Sequence, residues 1–194
     1  IAADGQVLRE GDLPEELRNL PAPWGRPFDG TKRPNVLRAG SVPSVYCQNN
    51  YPAAFADLGD AWDIALSDAG GLTQFGAFLE TLHPGGQTSV RHWHEKEDEF
   101  LYVLDGSVTL LEAGGPQLIG PGTCVCWPAK VPNAHCLRND GDTPATLFIA
   151  GSRLAEDACH YPDIDLHYSR RKGLRTFAHK DGTPYPGWPK ETRT

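Results

Sequence analysis

The 194-residue sequence lacks the features of a membrane or nucleic-acid-binding protein. It has no apolar run of the ~18 residues that a membrane span needs. Positive charge is scarce, since 18 Lys and Arg face 25 Asp and Glu and give a net charge of −7. That balance disfavours nucleic acid and anionic membrane surfaces as partners. Residues 1–30 also lack the apolar segment of a secretory signal. We therefore expect a cytoplasmic protein with a small-molecule partner.

Cysteine is present, but in a pattern that does not indicate disulfides or a zinc-binding motif. The five cysteines are odd in number and include no Cys-x-x-Cys pair, which favours a reducing compartment. Cys124 and Cys126 are two residues apart and share a face of any strand. We predict that both are buried small apolar residues, rather than metal or redox groups.

Glycine and proline divide the chain into three parts. The 21 glycines and 17 prolines are typical of a turn-rich β protein. Residues 71–150 contain short β-rich runs between turn signals, which predict an antiparallel sandwich or barrel. Residues 1–70 are predicted as an irregular arm, with a helix signal only at 12–17. Residues 151–194 are predicted as a polar C-terminal extension, packed in part on the barrel.

The N-terminal arm carries apolar residues without a periodic pattern that would give it a core of its own. We therefore expect it to pack on the barrel or on a partner subunit. Its aromatic anchors are Trp24, Phe28, Tyr46, Tyr51 and Phe55.

The sequence His92-Trp93-His94 is the main indication of chemistry. In a strand, residues i and i+2 point to the same side, so both imidazoles project together. Glu99 follows a charged turn and opens the next apolar run, and a hairpin there returns it beside the histidines. His135 offers a third imidazole. Three nitrogens and one carboxylate suit a divalent transition metal, with Fe, Mn, Zn and Ni all open.

Other polar residues near these positions have alternative interpretations. Glu97 and Asp98 are predicted to be solvated turn residues, while Trp93 and Tyr102 should point away from the metal. Glu80 lies in a strongly apolar run, where it is either a buried catalytic proton shuttle or an edge-facing residue. The remaining histidines are predicted in loops or the tail: His83, His160, His167 and His179.

The spacing of the metal-ligating residues resembles the first motif of the cupin superfamily. Five residues separate Gly86 from His92, and one separates His92 from His94. Four residues then separate His94 from Glu99, and six separate Glu99 from Gly106. The second motif is similar but altered. Lys130 stands where cupins usually have glycine, and Asn133 where they usually have histidine. A two-residue insertion would give His135 that role, whereas the rival alignment places Asn133 inside.

The resemblance covers residues 72–150 and implies an all-β double-stranded β-helix, or jelly-roll, barrel with irregular N- and C-terminal extensions. It also implies a metal centre of His92, His94, Glu99 and His135 and assembly as a homodimer. The corresponding hypothesis is a metal-dependent isomerase or dioxygenase acting on a small oxygenated metabolite. Isomerisation needs a general base, for which Glu99 and Glu80 are the candidates. The alternatives are a non-catalytic ligand-binding module and, less favoured, a structural storage protein.

Overall fold

The computed structural model describes residues 33, 35–47 and 50–191, which form a mostly antiparallel β structure. The helix predicted at 12–17 and the anchors Trp24 and Phe28 lie outside the described residues. Within the described ranges, no helix combines the length and the apolar character that a membrane span requires.

Fourteen strands, two short 3-10 helices and one four-residue α-helix make up the described chain. The strands are β1 Val45–Tyr46, β2 Ala61–Ile64, β3 Phe75–Leu82, β4 Trp93–His94, β5 Glu99–Asp105, β6 Val108–Glu112, β7 Gly115–Ile119, β8 Cys124–Trp127, β9 Cys136–Arg138, β10 Ala145–Ser152, β11 Asp157–Tyr161, β12 Leu166–Arg171, β13 Leu174–Ala178 and β14 Lys190–Glu191. The helical segments are the 3-10 helices Ala39–Ser41 and Ala53–Phe55 and the α-helix α1 Leu66–Ala69.

The strands form three antiparallel sheets. A six-stranded sheet has the order β1-β2-β3-β10-β5-β8, a five-stranded sheet has the order β14-β13-β12-β11-β4, and β7-β6-β9 form a third. The predicted antiparallel all-β architecture is therefore confirmed. Strand β10 lies between β3 and β5, so the segments 75–82 and 99–105 become near neighbours.

Alternation along the strands places the main core between the six-stranded and the three-stranded sheets. On β5, Leu101 and Val103 are buried, whereas Tyr102 between them is 36% exposed on the outer face. Tyr102 thus points away from the interior, as predicted. The turn after β5 uses Gly106 at φ +73°, where a Cβ atom would lie 2.6 Å from the carbonyl oxygen of Pro144. Only glycine fits this turn without strain.

Cys124 and Cys126 are exposed, so the prediction that they are buried was wrong. Strand β8 pairs with β5 so that Val125 lies opposite the inward-facing Leu101. Alternation then directs both cysteines outward. All five cysteines are free thiols.

The C-terminal part of the chain is far more regular than the expected polar tail. Strand β12 pairs with β11 on one side and with β13 on the other. Strand β11 also pairs with β4, which carries His94. A second core cluster forms here from Cys159, Tyr161, Leu166 and Phe177. Tyr51 and Phe55 of the N-terminal arm pack against this cluster. The described end of the arm therefore packs on its own chain.

Candidate metal centre

Two backbone pairings bring His92, His94 and His135 to one place. The amide of His92 donates to the carbonyl of His135 at 3.1 Å, and the amide of His135 donates back at 2.9 Å. His94 is held by the pairing of β4 with β11, and Glu99 opens β5 on the adjoining sheet. The short segment between β4 and β5 returns Glu99 beside the histidines, as predicted. The predicted hairpin is not formed, because β4 and β5 belong to different sheets and do not pair.

The four predicted ligands lie together in contacting pairs. His92 Nε2 is 3.1 Å from His94 Nε2, His135 Nε2 is 3.0 Å from Glu99 Oε2, and that oxygen is 3.9 Å from His94 Nε2. His92 and His135 are buried, at 9% and 3% exposure.

The distances are not uniform around the cluster. Among the described residues, three groups have ligand atoms that all lie within 4.8 Å of one another, and none of them contains all four predicted ligands. These groups are His92, His94 and Cys159; His94, Glu97 and Asp157; and Cys47, Asp63 and Glu80.

Hydrogen bonds at the Nδ1 atoms assign the histidine tautomers. His92 Nδ1 donates to the carbonyl of Val90 at 2.9 Å, and His135 Nδ1 donates to the carbonyl of Asn133 at 3.2 Å. These bonds leave both Nε2 atoms unprotonated in the neutral rings, with lone pairs directed into the cluster. When His135 is neutral, its Nε2 lone pair faces and repels the carboxylate of Glu99, whereas a protonated ring donates a hydrogen bond to it. A cation between them would turn that repulsion into attraction, so the donor set fits a divalent transition metal.

Asp157 fixes the orientation of His94 and was missed by the sequence analysis. Its Oδ2 lies 2.6 Å from His94 Nδ1, and its Oδ1 accepts the amide of Lys96 at 2.9 Å. The Asp157 side chain is fully buried. A carboxylate in this position sets the ring orientation and raises the basicity of a ligating histidine. The thiol of Cys159 lies 3.4 Å from the same Nδ1 atom.

The surroundings shift the pKa values of His92, His94 and Glu99 in different directions. Burial, together with the neighbouring His94, lowers the pKa of His92 to about 4, so His92 is neutral at pH 7. Burial alone would lower the pKa of His94, but the hydrogen bonds with Asp157 and Cys159 raise it to about 11. Burial opposes ionisation of Glu99, yet the hydrogen bond with His135 and the nearby imidazoles lower its pKa to about 2. Glu99 is therefore a carboxylate at neutral pH.

The structure distinguishes Asn133 from His135 as the candidate for the last ligand position. The side-chain amide of Asn133 donates to Glu112 Oε1 at 2.9 Å, away from Glu99. The ring of His135 stacks on Trp127 with 3.7 Å between ring centroids and 8° between planes. Trp127 in turn donates to Glu112 at 2.7 Å. This network places His135, rather than Asn133, beside Glu99.

A cavity of about 240 Å³ opens next to His94 and Glu99. Two arginines also line it, and each is ion-paired: Arg153 Nη1 with Asp68 at 2.6 Å, and Arg170 Nη2 with Glu97 at 2.5 Å. The cavity therefore combines two of the predicted metal ligands with two guanidinium groups.

Glu97 is not the solvated turn residue that the sequence predicted. Its side chain is 12% exposed, and its Oε1 accepts hydrogen bonds from Arg170 and from the amide of Leu154. The reason is long-range, since Leu154 and Arg170 come from the C-terminal extension. Asp98 is exposed, as predicted, and it accepts the amide of Ala129 at 2.8 Å.

Glu80 does not join the other predicted site residues. It lies opposite Leu147 on β10, whereas Glu99 lies opposite Gly151. Phe78 and Ile149 occupy the positions between these two levels and line the cavity, which Glu80 does not. Glu80 lies instead with Cys47 and Asp63. Its catalytic role stays a prediction.

The histidines outside the motifs are distributed differently from the expectation. His160 and His167 lie in β11 and β12, so their assignment to loops or a tail was wrong. His160 stacks on Trp93 with 4.4 Å between ring centroids, and its Nε2 donates a 2.7 Å hydrogen bond to Glu95 Oε1. Trp93 is thus turned towards β11, away from the ligand cluster.

Comparison with known proteins identifies the family. The cupin domain family matches residues 78–151. A solved structure described as a sugar phosphate isomerase from a cupin superfamily, from Silicibacter pomeroyi, is 33% identical with a TM-score of 0.74. The match covers 78% of this chain and 97% of that protein. The chain belongs to the cupin superfamily. Its predicted double-stranded β-helix barrel is thereby confirmed.

A second solved structure similar to this cupin has a related description. It is described as a proposed sugar phosphate isomerase from Acidithiobacillus ferrooxidans and is 30% identical, with a TM-score of 0.60. The match covers 63% of this chain and 78% of that protein. A search of curated proteins finds no match.

Proposed function

We propose that this cupin is a metal-dependent isomerase of a small phosphorylated sugar. The observation that carries the proposal is the cavity of about 240 Å³, which has His94 and Glu99 in one part of its lining and Arg153 and Arg170 in another. Such a cavity suits a ligand with a chelating hydroxy-carbonyl group and an anionic group. The descriptions of the two relatives as sugar phosphate isomerases support the same substrate class.

His92, His94, His135 and Glu99 would hold the divalent metal. The unprotonated Nε2 atoms of neutral His92 and His135 and the ionised carboxylate of Glu99 are the required ligand forms. His94, with its pKa raised to about 11, would release its Nε2 proton when the metal binds, while Asp157 orients its ring through Nδ1. When bound, such a metal polarises a substrate carbonyl or hydroxyl oxygen as a Lewis acid. Fe, Mn, Zn and Ni all fit three nitrogens and one oxygen. Elemental analysis of the purified protein would identify the metal.

Arg153 and Arg170 are proposed to bind the phosphate. A guanidinium carries five N–H donors in a planar fork that matches phosphate oxygens. The ion pairs with Asp68 and Glu97 hold both side chains in place before a ligand arrives. This preorganisation lowers the entropic cost of binding.

Proton transfer is assigned to a carboxylate that borders the cavity. Glu97, Asp98 and Glu99 all meet this condition. Asp98 is exposed, and its Oδ1 accepts the amide of Ala129, so the choice is between Glu97 and Glu99. Glu99, with its pKa lowered to about 2, is a weak base and suits metal ligation. Burial raises the pKa of Glu97, which brings it closer to the range of a general base. We assign the base to Glu97. Both hydrogen bonds to Glu97 use Oε1, so Oε2 is the atom proposed to take the proton.

The test is an isomerisation assay in deuterium oxide with the full chain, stripped of metal and reloaded with each candidate metal. Aldose and ketose phosphates, and the same sugars without phosphate, serve as substrates, and NMR reports interconversion and deuterium incorporation. E97Q is expected to lower kcat by about 10²-fold or more, and R153M to raise KM for the phosphorylated sugars alone.

The matched control is R91M, which removes a guanidinium paired with the half-exposed Asp163 outside this cavity. It should leave both kinetic constants unchanged. Substrate-dependent oxygen uptake without deuterium incorporation would favour the dioxygenase instead. Saturable sugar phosphate binding without turnover under every metal would favour the non-catalytic module.

A homodimer in the cytoplasm is also proposed. The outer face of the six-stranded sheet exposes several large apolar side chains, an arrangement that favours burial against a second copy. They are Trp62, Phe75, Tyr102 and Leu104, which are 36–46% exposed.

A further inference from the structure

A second group of potential metal ligands lies away from the cavity. Cys47 follows β1, Asp63 lies in β2, and Glu80 lies in β3. Asp63 and Glu80 are direct cross-strand partners, and the amide of Cys47 is bonded to the carbonyl of Ala61 in β2 at 2.8 Å. The thiol and the two carboxyl groups have ligand atoms that all lie within 4.8 Å of one another.

The thiol of Cys47 is hydrogen-bonded to the carboxyl group of Asp63, but one oxygen of that carboxyl group has no such partner among the described residues. Glu80 is buried, at 3% exposure. Asp63 Oδ1 is also buried, without a hydrogen bond to any described residue. Nearly all buried polar groups in proteins are hydrogen-bonded, and exceptions often mark the place of a water molecule or an ion.

Among the described residues, no basic side chain contributes to the pKa of Cys47 or Glu80. Burial, followed by the negative charges of Asp63 and Glu99, raises the pKa of Glu80 well above its usual value. Burial, with Asp63 and Glu80 as neighbours, raises the pKa of Cys47 to about 12. None of the influences on either pKa comes from a lysine, arginine or histidine. The cluster therefore lacks a positive charge, which a bound cation would supply.

We propose that Cys47, Asp63 and Glu80 form a second cation site, separate from the cavity, for a divalent ion that accepts thiolate, such as Zn²⁺. One sulfur and two carboxylate oxygens are ligand types that Zn²⁺ takes, with a fourth position open to water. Zn–S and Zn–O bonds of about 2.3 and 2.1 Å put tetrahedral ligand atoms about 3.4–3.6 Å apart. The present separations of at most 4.8 Å need only small side-chain shifts to reach that geometry.

This site would tie together the first three strands of the six-stranded sheet. The ligands come from the end of β1, from β2 and from β3, so the ion would link the N-terminal edge of the sheet to its centre. Phe78 and Ile149 lie between Glu80 and the level of Glu99. The second ion would therefore stabilise the fold without contacting the substrate.

The test is metal stoichiometry of the full chain, stripped and then titrated with Zn²⁺ and analysed by mass spectrometry of the bound metal. The native chain is expected to bind about two ions, and E80Q and C47S about one each. H135A should also bind about one ion, which then occupies the site of Cys47, Asp63 and Glu80. Co²⁺ loaded into an H135A/C159S background should give a sulfur-to-cobalt absorption band that C47S abolishes. The change of Cys159 removes the thiol beside His94 from that signal.

C126S is the matched control, because it removes an exposed thiol on β8. It should keep both ions and the absorption band. Circular dichroism of each variant shows that it is folded, and the conservative C47S and E80Q changes keep side-chain size. A native chain that binds one ion, lost in H135A and kept in C47S, would overturn the proposal. The result is independent of isomerase activity, because every readout is metal content or absorption.

Discussion

Asp157→Asn tests whether the carboxylate behind His94 determines metal affinity. The substitution keeps the size of the side chain but replaces an acceptor oxygen with an NH₂ group. Asp157 accepts from His94 Nδ1 through one oxygen and from the amide of Lys96 through the other. An asparagine can accept only one of these bonds, so one donor is left facing an NH₂ group whichever way the amide turns.

The magnitude follows from the burial of Asp157, whose side chain has no exposed surface. Loss of one hydrogen bond to a buried charged group, with a donor left unsatisfied, costs about 1.5–3 kcal/mol in the free energy of unfolding. Loss of the carboxylate behind a ligating histidine typically weakens metal binding about 10- to 100-fold. The variant should therefore be less stable without metal and bind metal more weakly.

Competition of the protein with a chelator for Zn²⁺ or Mn²⁺ measures the affinity, and urea denaturation of the metal-free protein measures the stability. D163N is the control, since the same substitution there affects only an exposed pair with Arg91. It should leave affinity unchanged. If D157N binds metal at the centre of His92, His94, His135 and Glu99 as tightly as D163N does, the assigned role of Asp157 is refuted.

Two further predictions concern pH and assembly. The metal-free protein should lose up to about 3 kcal/mol of stability as the pH falls from about 6.5 to about 4. The reason is that burial lowers the pKa of His92 to about 4, so the unfolded chain takes up the proton first. H92Q should flatten this part of the profile in denaturant titrations, and an unchanged slope would contradict the assignment. Light scattering should give about twice the chain mass of 21.2 kDa. The Y102E variant should have the mass of a monomer. A native protein with the mass of a monomer at micromolar concentration would exclude the dimer.

The sequence predicted the features that depend on local geometry. Strand alternation places His92 and His94 on one side whatever the rest of the chain does, and a short charged turn can only return Glu99 nearby. The all-β architecture followed in the same way from short apolar runs between glycine and proline turns. A two-residue insertion in the second motif predicted His135 as the third imidazole, and the structure places its Nε2 3.0 Å from Glu99.

Contacts between distant segments could not be predicted from these patterns. Asp157 meets His94 across 63 positions of sequence, and Arg170 meets Glu97 across 73. Both depend on the pairing of β11 with β4, in a segment whose polar composition gave no strand signal.

Exposure was likewise decided by tertiary pairing. Alternation shows that Cys124 and Cys126 share a face, but it does not say which face is inside. The register of β8 against β5 turned both of them outward. The apolar run around Glu80 indicated burial, but only the neighbouring β2 and the end of β1 supplied Asp63 and Cys47. Sequence thus determined which side chains share a side of a strand. The tertiary structure decided what each side meets, because hydrogen bonds and ion pairs act only over a few ångströms.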